Sequence, residues 1–172
     1  TLSLHDALPI YHIFRDAHRS PERERLLEFI NSAELIIGHN LLGYDLPVLE
    51  ALIGAKVRAP GVTEVDTLVL SKLIDYPRDR HSIESYGEEF DLPKGDFSDW
   101  SKYSFEMEVY CKRDVDIAER IYKKYKKYLD NPERRPSIVT EHEFQLVCNS
   151  LEKNGFAFNV AKAQTLLDKV NA

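Results

Sequence analysis

The sequence predicts an α/β layered domain followed by a short all-helical segment, on three observations. A continuous apolar run at residues 35–37 has the character of a buried parallel strand, residues 62–66 read as a second short strand, and helical stretches alternate with both. A long amphipathic pattern over Phe105–Leu129 supplies a helix to pack along the sheet. A polar, proline-bracketed tract at residues 131–136 reads as a linker to the helical segment. The 172 residues, 43% hydrophobic and 30% charged, suit one well-buried core with an appendage.

Each element has a local reason. Residues 11–14 read as a short edge strand. Ser20-Pro21 then opens a helix to about Asn31, with Ser as N-cap, Pro at the first helical position, and Leu26, Leu27 and Ile30 on one face. Gly38 ends the strand at 35–37. Asp45 stands where an N-cap belongs, ahead of Pro47 and the apolar Val48, Leu49 and Leu52. After the strand at 62–66, Thr67–Ile74 reads as a helix, and Ser82 caps another carrying Ile83, Tyr86 and Phe90. In the long helix Val115, Ala118, Tyr122, Tyr125 and Leu129 recur at spacings of three and four. Beyond the linker, residues 138–151 and 160–170 form two amphipathic helices around the stop signal Asn154-Gly155.

Composition narrows the function classes. No apolar run approaches the roughly 20 residues of a membrane span, so a soluble, cytoplasmic protein is expected. Cys111 and Cys148 lie far apart without a Cys or His partner at metal-ligand spacing, which reads as thiols in a reducing compartment. The formal charge of −6 gives no general affinity for phosphates, so contact with nucleic acid has to be local or metal-mediated. Residues 1–10 lack the basic and apolar regions of a signal peptide and resemble a translated sequencing adapter, hence a non-native scar.

Three clusters carry chemistry: residues 39–45 (His-Asn-Leu-Leu-Gly-Tyr-Asp), 81–84 (His-Ser-Ile-Glu) and 110–114 (Tyr-Cys-Lys-Arg-Asp). Asp45 at a strand-to-helix mouth and Asp114 on a later helix are placed to converge on a divalent cation, because Mg²⁺ takes carboxylate oxygens and keeps some waters. Tyr110 lies four residues before Asp114 and shares its helix face. Phosphodiester hydrolysis uses such parts, with carboxylates from separate elements holding two cations. A phenol with an ordinary pKa near 10 is a poor base at neutral pH, so Tyr110 reads as orienting the attacking water.

The pattern Asn-x-x-x-Tyr-Asp at Asn40, Tyr44 and Asp45, followed by Tyr-x-x-x-Asp at Tyr110 and Asp114, resembles the second and third motifs of DEDD-type exonucleases. The tyrosine points to the tyrosine subclass. Within it the chain is similar to the 3′-to-5′ proofreading domain of family A DNA polymerases, notably of short-tailed phages, where segments like Asp66-Thr67-Leu68 and His81-Ser82-Ile83-Glu84 lie between the motifs. The resemblance covers residues 11–130, and residues 151–159 resemble the start of a family A polymerase domain. It implies a ribonuclease-H-like mixed sheet flanked by helices. It further implies two Mg²⁺ or Mn²⁺ ions held partly by Asp45 and Asp114, and a single-stranded DNA 3′ end contacted by Asn40 and Tyr44. The remaining partners implied are the rest of a polymerase chain, in a host cytoplasm if phage-encoded, and an unspecified processivity factor.

The first family motif, Asp-x-Glu on the opening strand, does not precede Asn40. The fragment is therefore expected to lack its first strand, to cleave poorly, and to have reduced stability from an exposed sheet face. A stand-alone exonuclease on RNA or DNA and a non-catalytic exonuclease-like domain are the competing readings. Several features have plainer interpretations. Asn40 also suits a turn, His39 and His81 read as packed or helix-flanking residues with nucleic-acid contact the alternative, and Asp66 reads as structural. The lysines of residues 122–128 read as a solvated face, and Glu141-His142-Glu143 diverge around a helix axis and do not read as ligands.

Overall fold

A computed structural model describes residues 10–54, 57, 61–93, 95 and 97–171, so the suspected scar at 1–10 lies outside the described residues except for Ile10. The chain forms α1 (Glu22–Asn31), β1 (Leu35–Gly38), a π-helical turn (Leu41–Asp45), α2 (Leu46–Ile53), β2 (Thr63–Asp66), α3 (Thr67–Ile74), α4 (Ile83–Glu89), α5 (Phe105–Leu129), α6 (Arg135–Asn154) and α7 (Val160–Asn171). It is a mixed α/β fold. β1 and β2 pair in parallel, Leu35 opposite Thr63 and Gly38 opposite Asp66, and α2 lies in the crossover that a parallel pair requires. Among the described residues the sheet has these two strands, where a larger mixed sheet was expected.

Two buried clusters hold the layers together. Leu26 and Ile30 of α1 meet Leu41, Leu42, Leu46 and Ile53 around the π-turn and α2. Val65, Leu70 and Tyr86 meet Ile117, Ile121 and Tyr125 of α5 and Ile138 of α6. The spacing of 117, 121 and 125 puts one α5 stripe into the core. That stripe is offset from the expected one, because Val115 is exposed while Ile117 and Ile121 are fully buried. Ser104 and Ser82 cap α5 and α4 by accepting the backbone N–H groups of Met107 and Ser85. Lys123, Lys126 and Lys127 face water as expected, with Lys123 paired to Glu119 at 2.8 Å and Lys126 to Asp130 at 2.6 Å, whereas Lys124 is half-buried over the Tyr86 ring and pairs with Glu89 at 2.7 Å.

Several local expectations are corrected. Residues 11–14 form no strand. Their segment runs antiparallel along α5, where the Tyr11 hydroxyl donates to Asp116 and Arg15 donates to the buried Glu108 at 2.6 Å. The Tyr11 phenol is pushed up to about 12 by its bond to that carboxylate. Ser20 does not cap α1: its hydroxyl donates to Glu24, and Pro21 takes the N-cap position. Asp45 occupies the N-cap position of α2, yet its backbone is already helical and its side chain makes no capping bond.

The tract at 131–136 is a tight turn, in which the Asn131 side chain accepts from Glu133 N at 2.9 Å and α6 starts at Arg135. α6 returns across the domain, burying Ile138, whereas no residue of α7 is buried. Cys111 is exposed and Cys148 half-buried, both as thiols. Among the described residues no helix is long and apolar enough to cross a membrane.

Candidate carboxylate cleft

The site is built where β1 runs into α2. After Gly38 the chain turns at Asn40, whose φ of 63° is left-handed, a conformation Asn tolerates better than most residues. The π-turn comes next and presents Tyr44, 62% exposed, and Asp45 at the mouth of α2. A Cβ at Gly43 would stand 2.5 Å from the Asn40 side-chain oxygen, so a larger residue there would push that amide aside.

Asp66, only 1% exposed, anchors the turn. Its carboxylate accepts from Asn40 N at 2.9 Å, Leu42 N at 3.0 Å and, as the α3 cap, Leu68 N at 2.9 Å. Three backbone donors satisfy a buried charge that would otherwise be costly. Asp66 is structural, as its sequence position suggests, and it stands at the base of the site.

α5 supplies the opposite wall. Asn40, Tyr44 and Asp45 from the turn and Asp114 and Glu119 from α5 line one cleft of about 610 Å³. Asp45 and Asp114, far apart in sequence, face the same space. Desolvation by the surrounding chain lifts the Asp45 carboxyl above the ordinary aspartate value, and the Asp66 charge adds to the shift. A bound cation would reverse that push. Among the described residues no three His, Cys, Asp or Glu side chains group closely enough to hold a metal by themselves. Two carboxylates lining one cleft with room beside them fit a hard cation that keeps several waters.

The other candidates are placed differently. His39 also lines the cleft, but its Nδ1 donates to Thr67 Oγ1 at 2.9 Å while that hydroxyl donates to Gly38 O. Burial pushes its imidazole below the usual range. His81 is outside the lining and pairs through Nδ1 with Ser71 Oγ at 2.6 Å. Tyr110 is also outside it: its ring packs edge-on against Trp100 at 5.4 Å and near Phe97 at 5.9 Å, one helical turn from Asp114.

Two residues here are not evident from the sequence. Glu119 is a third acidic group in the cleft lining, five residues beyond Asp114 and so at no helical spacing that would have signalled it. His142 does not read as a ligand in the sequence, and in the fold its Nε2 accepts the Asp66 backbone N–H at 3.0 Å. No protein-family model, curated protein or solved structure matches the chain.

Proposed function

We propose that this chain is the 3′-to-5′ proofreading exonuclease region of a family A DNA polymerase, with a ribonuclease-H-like fold and the beginning of the polymerase part at its C-terminal end. The observation that carries this reading is the convergence of Asp45 and Asp114 on one cleft, joined to the Asn-x-x-x-Tyr-Asp and Tyr-x-x-x-Asp spacing that resembles the tyrosine subclass of DEDD exonucleases. Asp45 and Asp114 hold Mg²⁺ or Mn²⁺. Bound divalent ions supply a water of lowered pKa and stabilise the leaving oxygen of a phosphodiester.

The chain's own residues do the positioning. Tyr44 and Asn40 stand at the exposed rim, where a terminal nucleotide of single-stranded DNA can meet an aromatic face and an amide. Tyr110 takes the water-orienting role on the resemblance alone, since its ring packs against Trp100. The exposed apolar side chains Phe156, Phe158, Val160 and Leu166 support packing of the C-terminal helices against further polypeptide, as a polymerase domain would provide.

The test is degradation of a 5′-labelled single-stranded oligonucleotide, with Mg²⁺, by the gene product that contains this chain. Shortening from the 3′ end that falls roughly a hundredfold or more in Asp45→Ala and Asp114→Ala is expected. Shortening unchanged in both variants would contradict the assignment.

A further inference from the structure

We propose that His142 is a positioning residue for the carboxylate cleft, acting through Asp66, so that α6 sets the geometry of the turn carrying Asn40 and Asp45. The inference stands on hydrogen bonds, and only its consequence for metal binding rests on the function proposed above. Asp66 is the junction: its side chain holds the N–H groups of Asn40 and Leu42, and its own N–H donates to His142 Nε2 at 3.0 Å. His142 Nδ1 lies 2.8 Å from Ile138 O, the carbonyl one turn back in α6. That bond puts the proton on Nδ1 and leaves the Nε2 lone pair for Asp66.

A second pair of contacts reaches the same turn. Asn149 Nδ2 donates to Leu42 O at 2.7 Å, and Gln145 Nε2 donates to Asn149 Oδ1 at 2.8 Å, which orients the amide. Leu42 is therefore gripped at both ends of its backbone, by Asp66 at its N–H and by α6 at its carbonyl. His142, Gln145 and Asn149 fall at i, i+3 and i+7, so one face of α6 carries the set. Packing alone would be served by apolar residues there. Three polar side chains on one stripe instead serve the β2–α3 junction and the π-turn, and that turn leads directly into Asp45.

The experiment uses the whole ¹⁵N-labelled chain. Long-range ¹H–¹⁵N spectra at about pH 8, where an ordinary imidazole is neutral, are expected to show His142 protonated on Nδ1 with Nε2 bare. The opposite tautomer would overturn the proposal, and this measurement needs no variant. In His142→Phe the amides of Asn40 and Leu42 are expected to exchange roughly tenfold or more faster, while Ile117 and Ile121 in the core keep their protection. His142→Gln, whose carbonyl can accept from Asp66, should restore slow exchange. Unchanged exchange in His142→Phe, or acceleration that includes Ile117 and Ile121 equally, would refute the positioning role. Mn²⁺ broadening of the Asp45 amide reads the cleft separately: loss in His142→Phe and recovery in His142→Gln support the coupling. If wild type shows no broadening, the metal reading fails while the exchange data still judge His142.

Discussion

Asp45 carries a carboxyl held above the ordinary aspartate value, chiefly by desolvation and further by the Asp66 charge. A raised folded-state pKa means that the folded protein binds this proton more tightly than the unfolded chain. The stabilisation is therefore complete below the unfolded value, near 3.9, and disappears as pH rises through the folded one. Asp45→Asn should accordingly raise the thermal midpoint of the metal-free protein at pH 7, by about 1–2 °C, and leave it unchanged near pH 3. Added Mn²⁺ should stabilise wild type and not the variant. A lower metal-free midpoint for Asp45→Asn at pH 7 would contradict this electrostatic picture. At Gly43 a side chain would collide with the Asn40 amide, so Gly43→Ala should weaken binding of a single-stranded oligonucleotide several-fold while Mn²⁺ affinity holds, measured by fluorescence anisotropy. Asp45 and Asp114 were legible because their motifs are local strings. His142 was not, since its partner is 76 residues away and nothing near it in the sequence marks a histidine that accepts a backbone N–H.

Among the elements, α5 is the one on which both the core and the cleft depend. Its stripe at 117, 121 and 125 is buried, and the neighbouring face lines the cleft with Asp114, Val115, Ala118 and Glu119. The helix also ends a buried chain of hydroxyls: Ser71 Oγ lies 2.5 Å from Tyr86 OH, which lies 2.6 Å from Tyr125 OH. Burial pushes the Tyr125 phenol far up. Tyr86→Phe removes its central oxygen and should cost about 1–2 kcal/mol in urea unfolding at constant m-value. No loss would mean that the hydroxyls find equivalent partners elsewhere. Helices and the cap at Ser82 were readable because periodicity and capping act within a few residues. The π-turn was not, because it inserts a wider turn without a distinctive residue pattern. Residues 11–14 were read as a short edge strand, whereas contacts made far along the chain, Tyr11 with Asp116 and Arg15 with Glu108, lay the segment along α5.

Across the whole molecule, the tract at 131–136 turns the chain back, and α6 closes over the sheet end through Ile138, His142 and Asn149. α6 is thereby part of the same packed unit as the cleft. Ile138→Ala should lower the stability of that unit by about 2–4 kcal/mol as a single transition. Two transitions, with only the first shifted, would show α6 to be independent. The central claim concerns the cleft between the π-turn and α5, where Asp45 and Asp114 are held to share a divalent ion. Its most direct measurement is a Mn²⁺ titration of the ¹⁵N-labelled chain, following backbone amides throughout. The account predicts that the amides of Asp45 and Asp114 broaden first and together, with one midpoint, and that Asp114→Asn abolishes both effects. Broadening confined to one of the two residues, or centred elsewhere on the surface, would contradict it.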